Sequence, residues 1–260
     1  MSRSPIPPDN TLLPLLYAID STYGWGKGMR AVTASILTDL LPAKERILEI
    51  GCGSGIQLRQ VSSRKPQALA VGTDLHPLAL AHAQNQRTYT PRSVSSSLVQ
   101  FVQSDLHHLP FTDDEFDFVV ALDVFDQIGV QLRQALNESR RVLQPGGHLL
   151  VRVSAYAWLM GEHDRAFHTA QRYNRRALAP ILVEAGFTIM RSTYANALFA
   201  PPVIGLRLVQ RWAHLPHREQ IYTNSLSNRL LAAALQWEAI WLRSHNLPAG
   251  ISLYLLARKE

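Results

Sequence analysis

Arg46–Leu58 reads RILEIGCGSGIQL. The first residues are apolar with charges toward the ends, the pattern of a buried strand. Three glycines follow, at 51, 53 and 55, and helical spacing resumes at Ile56. Glycine permits a tight turn and a close approach of backbone to a neighbour. The fold therefore turns on what that neighbour is, a phosphate or something else.

Reading outward, 29–40 is expected to be helical, after a punctuated stretch IPPDNTLLPLLYAIDSTYGWGKG holding a short helix and a loop. Ser54 is the expected N-cap of the helix after the glycine turn. ALAVGTDL (68–75), LVQFVQSDL (98–106), FDFVVALDV (116–124), GHLLVRVSA (147–155) and TIMRSTYAN (188–196) read as further strands. Between them lie helical stretches at 76–87, 131–144 and 175–187, the last closed by Gly186. Strands alternating with helices predict parallel βαβ units. Residues 197–246 break the alternation with two helical stretches, and GISLYLLARK (250–259) is a final strand. The expected organisation is a lid segment at 1–28, an α/β core at 29–196, a helical insertion at 197–246 and a closing strand in 247–260.

Ligands of open α/β sheets bind beyond the carboxyl ends of the strands. Those ends are expected to carry Glu49, Asp74, Asp105 and Asp123, with Asp126 close behind. A dinucleotide motif needs G-x-G-x-x-G and a helix N-terminus open to an anion. Here the third glycine falls one place early, Ile56 stands in its position, and an acidic rim repels phosphate. Such a rim suits a ligand with hydroxyls and fixed positive charge. S-adenosylmethionine (SAM) offers ribose hydroxyls, an ammonium and a sulfonium.

ILEIGCGSG (47–55), VGTDLHPLAL (71–80), QSDLHHLPFTDDEFDFVVALDVFDQI (103–128) and RRVLQPGGHLLV (140–151) resemble, in order and spacing, the motifs of class I SAM-dependent methyltransferases. The resemblance covers about residues 30–195. It implies a Rossmann-like sheet of seven strands, mostly parallel, with helices on both faces and an antiparallel last strand. It also implies roles. Gly51, Cys52, Gly53 and Gly55 pass beneath the methionine part of SAM, and Glu49 steers its ammonium. Asp74 holds the ribose hydroxyls, with Leu75 against the adenine. Asp105 accepts from the adenine amino group, beside Leu106. Asp123 lies at the methionine end, where its carbonyl can help. Many relatives have Glu and His where this chain has Asp126 and Gln127. A narrower resemblance joins AYAWLMGEHDRAFHTAQRYNRRALAPILVEAGF (155–187) and YGWGKGMR (23–30) to a bacterial methyltransferase type 11-like subgroup with a His-Asp-Arg…Arg-Tyr signature.

His163 has two readings: a base at the pocket mouth, or, with Asp164, a helix cap beside structural ion pairs of Arg165 and Arg172. Tyr173 either lines the acceptor cavity or packs. Tyr17, Tyr23 and Trp25 close over the cofactor or pack among themselves. Cys52, the only cysteine, is expected to pack, and His107 and His108 to be solvated without a metal. Asp113, Asp114 and Glu115 read as a solvated turn.

The 260 residues are 47% hydrophobic and carry a net charge of +6. With spread arginines and no lysine-rich run, nucleic acid is not the expected partner. No apolar run reaches the roughly 20 residues of a membrane span, and MSRSPIPPDN lacks the apolar region of a signal peptide, so the expected address is cytoplasmic. The stretch 198–218, apolar with arginines, is the expected place of any peripheral membrane contact or homodimer interface. The expected activity is methyl transfer from SAM to O, N or C of a small apolar metabolite, of the kind secondary metabolism supplies. Two alternatives stand: a peptide, RNA or lipid-linked acceptor, or a non-catalytic protein of the same fold that binds SAM or a partner.

Overall fold

The computed structural model describes residues 20, 23–37, 46–64, 68–85, 99–161, 164–165, 167–202, 204–205, 209 and 225–260. In chain order the elements are α1 (Gly24–Leu37), β1 (Arg46–Ile50), α2 (Ile56–Arg64), β2 (Leu69–Asp74), α3 (Pro77–Asn85), β3 (Val99–Gln103), β4 (Phe116–Leu122), α4 (Leu132–Val142), β5 (Leu143–Ser154), α5 (Arg175–Glu184), β6 (Phe187–Ala195), α6 (Ser225–Trp241) and β7 (Ser252–Lys259). One seven-stranded sheet runs in the order β3-β2-β1-β4-β5-β7-β6. The β1–β2, β1–β4, β2–β3 and β4–β5 pairs are parallel; β7 runs antiparallel to both β5 and β6. Strand order reverses between β1 and β4, which places a crevice at the carboxyl ends of those two strands.

The apolar strand residues divide between two cores. One holds Leu48, Val119 and Val151 with Leu136 of α4 and Leu182 of α5. The other holds Ile47, Phe118 and Leu150 with Met29 of α1, Leu58 of α2 and Leu235 of α6. The alternation of strand side chains sends neighbours to opposite faces, as for Ile47 and Leu48.

The N-terminal glycines depart from the expected loop. Gly24, Gly26 and Gly28 lie inside α1, so the boundary drawn at 28/29 falls within a helix. Packing outweighs the poor helix propensity of glycine here. A Cβ on Gly28 would come within 2.3 Å of Leu235 Cβ, and one on Gly24 within 2.1 Å of the Asn228 carbonyl. The Gly24 amide donates to Asn228 Oδ1 at 2.5 Å. These two positions, four apart on one face, let α1 lie directly against α6. Of the insertion, α6 is described; most of the stretch 206–224 lies outside the described residues.

Candidate functional site

The glycine turn is shaped mainly by the protein's own atoms. Gly51, Gly53 and Gly55 all have positive φ, at 69°, 51° and 70°, the region that glycine enters without strain. A Cβ on Gly51 would stand 2.7 Å from Val124, and one on Gly55 2.6 Å from the Phe101 ring. The Gly53 amide donates to Asp74 Oδ2 at 2.9 Å, tying the turn to the end of β2.

Ser54 is not the N-cap of α2, which begins at Ile56; its hydroxyl donates to Asp20 Oδ2 instead. The first turn of α2 is met from below by Glu49, which accepts from the Leu58 amide. A buried carboxyl thus occupies the helix end that a pyrophosphate would need. Cys52 packs beneath Gly72, with its thiol pushed well up by burial and by the nearby carboxyls of Glu49 and Asp74. A thiol so held is not a nucleophile at neutral pH.

Glu49 is the least ordinary group of the site. It is buried, and burial raises its carboxyl to about 8 against the attraction of Arg152; the charges of Asp20 and Asp74 push the same way. Among the described residues its Oε2 has no hydrogen-bond partner. A buried oxygen in that condition is costly, and an ammonium would relieve it. Asp74 is raised by burial, against the amides of His76 and Gly53. Its Oδ1 accepts from the His76 amide at 2.9 Å and its Oδ2 from Gly53, so both oxygens are fixed and each keeps a further lone pair.

The other two carboxylates are more engaged than the sequence implies. Asp105 lies beyond β3, next to Ser104, whose amide donates to the Asp74 carbonyl at 3.1 Å. Its Oδ1 accepts from the His107 amide at 2.9 Å and from His107 Nδ1 at 2.6 Å. His107 is therefore not solvated. It is buried, and its Nε2 accepts from the Gln131 amide at 2.9 Å, leaving the proton on Nδ1. Leu75 and Leu106, flanking these acids, are half-buried. Asp123, at positive φ, gives both oxygens to Arg152, with Nε–Oδ1 at 2.9 Å and Nη2–Oδ2 at 2.6 Å. The expected helping carbonyl of Asp123 accepts from Gln127 Nε2 at 2.9 Å. Gln127 thus anchors the turn after β4. Asp126 is turned inward: its Oδ2 accepts from the Ser154 amide at 2.8 Å, and burial, then the Asp123 charge, raise it to about 6. The rim is less negative than four strand-end acids suggest, since Arg152 cancels Asp123 and Glu49 is protonated below about 8.

Arg152 and Asp20 are the partners missed in the sequence. Arg152 lies under the Trp25 ring, 5.7 Å from its centroid, and donates to the Tyr254 hydroxyl at 3.2 Å. That hydroxyl lies 2.8 Å from Thr33 Oγ1 of α1. Asp20 accepts from Arg30 Nη1 at 2.6 Å and from Ser54. A lone arginine in the apolar strand HLLVRVS is the one sequence signal that such a pair leaves. Tyr23 stands 6.5 Å from Trp25, the ring that covers Arg152; Tyr17 lies outside the described residues.

His163 also lies outside the described residues. Its neighbour Asp164 forms a buried ion pair with Arg172, 2.6 Å between Nη2 and Oδ1. Arg172 Nη1 donates to the Ala155 carbonyl at 2.9 Å, and Asp164 Oδ2 accepts from the Gly161 amide at 2.7 Å. The Asp and second Arg of the signature therefore hold the loop after β5 in shape. Tyr173 is buried in the core on the α4/α5 side. Burial, then the Asp126 charge, push its phenol up, so at neutral pH it is a donor and not a base. The turn at 113–115 is ion-paired: Asp113 to Arg141, Asp114 to Lys259 and Glu115 to Arg46. Among the described residues no group of three potential metal ligands gathers, and no helix is long and apolar enough to cross a membrane.

Residues 48–151 match the family model described as a methyltransferase domain. The chain is 34% identical over 148 residues to a demethylmenaquinone methyltransferase of Thermus thermophilus, covering 57% of this chain and 62% of that one. It is 27% identical over 202 residues to a malonyl-[acyl-carrier protein] O-methyltransferase of a Paenibacillus species, covering 72% and 71%. The chain thus spans less than two thirds of the Thermus protein. In fold it is similar to the [4+2]-cyclase SpnF, with a TM-score of 0.63 and 22% identity over 95% of this chain and 93% of that one.

Proposed function

We propose, from a chain that carries a methyltransferase domain on the Rossmann-like methyltransferase fold, that it transfers the methyl group of SAM to an O, N or C atom of a small, apolar molecule. The observation that carries this reading is the unpartnered, buried Oε2 of Glu49 beside an anchored Asp74. Together they fit a ligand with a cation at one end and vicinal hydroxyls further along. Asp105 Oδ2 is left to accept from the adenine amino group. Bound SAM supplies an already activated methyl on sulfur. The protein's part is to place a nucleophile about 3 Å from that carbon and to exclude water. Trp25, held over the Arg152–Asp123 pair, closes the methionine end.

Asp74→Ala removes the acceptors for the ribose hydroxyls. Hydrogen bonds to charged groups contribute about 1.5–3 kcal/mol each, so with two of them lost SAM affinity is expected to fall by about a hundredfold or more. Calorimetric titration of a folded variant checks this; unchanged affinity contradicts the assignment. His163 is the proposed base for an acceptor that begins protonated. His163→Ala is then expected to lower turnover about a hundredfold or more at constant SAM affinity, in an assay with labelled SAM and such an acceptor. Full turnover removes it from the chemistry.

A second reading has one specific motive. The [4+2]-cyclase SpnF shares the fold, so the fold is not confined to methyl transfer, and a protein that binds SAM or a partner without transferring a methyl is the second reading. Methyl incorporation from labelled SAM into any extract fraction decides between the two readings. Sensitivity of the product to protease, nuclease or lipid extraction separates macromolecular acceptors from small ones.

A further inference from the structure

Helix α6 has apolar residues on two opposite faces. Leu235 and Ala239 are buried against α1 and the sheet, and Glu238 is buried beside them. At about 100° per residue, Leu230, Ala233, Trp237, Ile240 and Trp241 form a stripe roughly 100° wide on the other side. Leu230 is 62% exposed, Trp237 74%, Ile240 59% and Trp241 54%. Two tryptophans, an isoleucine and a leucine grouped in water are not an ordinary scatter of surface apolar residues.

Among the described residues of α6 and the turn after it, the exposed charges are of one sign. Glu238 is the only carboxylate of Ser225–Trp241. It faces inward, accepting from the amides of Asn196 and Ala197, at 2.5 and 2.8 Å. Arg229 and Arg243 lie along one flank of the stripe, both exposed. An apolar face with interfacial tryptophans and a basic flank suits an anionic lipid surface, where the rings sit at headgroup level. A two-fold contact with antiparallel helices would instead bring the arginine flanks of both copies together, on a protein of net charge +6.

We propose that the outer face of α6 docks this protein on an anionic membrane surface. It stands independently of methyl transfer, because these residues are on the face of α6 turned away from Leu235, Ala239 and the sheet. The membrane contact expected at 198–218 falls mostly outside the described residues, and α6 is a different stretch of the insertion.

Flotation with vesicles of phosphatidylglycerol, against vesicles of phosphatidylcholine, tests it on the whole chain. Binding is expected to the first, weakened by salt, and to fall about tenfold or more in Trp237→Glu/Ile240→Glu. Vesicles with brominated acyl chains are expected to quench the tryptophan fluorescence of the parent chain. The conservative Trp237→Phe/Trp241→Phe should keep flotation and lose most of that quenching. Absence of flotation, or quenching unchanged in the Phe variant, overturns the proposal. So does a lipid-free dimer, seen by light scattering, that the Glu variant splits. SAM titration on the same samples separates these outcomes from failure of the methyltransferase reading.

Discussion

Glu49→Gln is expected to raise the thermal midpoint of the ligand-free protein at pH 8 while weakening SAM binding by about tenfold or more. The carboxyl of Glu49 sits at about 8 in the folded chain and near 4.3 when the chain is unfolded. Between those values the folded protein keeps a proton that the unfolded chain releases. Stability from this group is therefore fullest below the unfolded value and declines as pH rises toward 8. The slope approaches ~1.4 kcal/mol per pH unit. Glutamine does not titrate, and its carbonyl still accepts from the Leu58 amide. Melting curves at pH 5, 6.5 and 8 should show the two proteins diverging as pH rises, with the parent losing ground. A difference that stays constant with pH would falsify the account. The ligand arm has the opposite sense. An ammonium beside Oε2 requires the ionised carboxylate, so SAM binding at pH 7 should release a proton from Glu49. Calorimetry in buffers of different ionisation enthalpy should find roughly one proton released by the parent and none from Glu49 in the variant.

The largest loss of stability is expected from Arg172→Met. Arg172 and Asp164 are both almost wholly buried and joined at 2.6 Å. Removing one member leaves the other charge without its counterion, at a cost of about 3–5 kcal/mol. For a chain of this size the midpoint should fall by roughly 10 °C. The double variant Asp164→Leu/Arg172→Met should recover part of that loss, because neither charge remains to be desolvated. The bonds to the Ala155 carbonyl and the Gly161 amide stay lost. Denaturant titration of the parent, both single variants and the double gives the coupling. Equal losses from Arg172→Met and the double variant would mean that the ion pair is not what holds this loop.

Most strands could be read in the sequence because each is a short run rich in apolar and β-branched residues. The sheet follows from their alternation with helices. Asp74 was legible for the same reason: it is the last residue of β2, and the chain leaves the sheet there. The engagement of the other acids was not legible. Asp123 and Arg152 are 29 residues apart in sequence, and only the β4–β5 pairing brings Asp123 and Arg152 together. His107 read as a loop histidine because its partner amide, at Gln131, comes from the start of α4. The glycines of α1 misled for a related reason. Local propensity favours a loop, and the reason for a helix lies on α6, more than 190 residues away. Long-range partners of this kind leave no periodic trace.

The bare backbone at Gly24 and Gly28 carries an engineering lesson. Because α6 lays Leu235 and Asn228 directly on the bare backbone of α1 there, the two helices form a matched set. Grafting the C-terminal half of a relative onto this chain should fail unless the donor's own first helix travels with it. Chimeras that exchange both pieces should fold and carry acceptor preference across together.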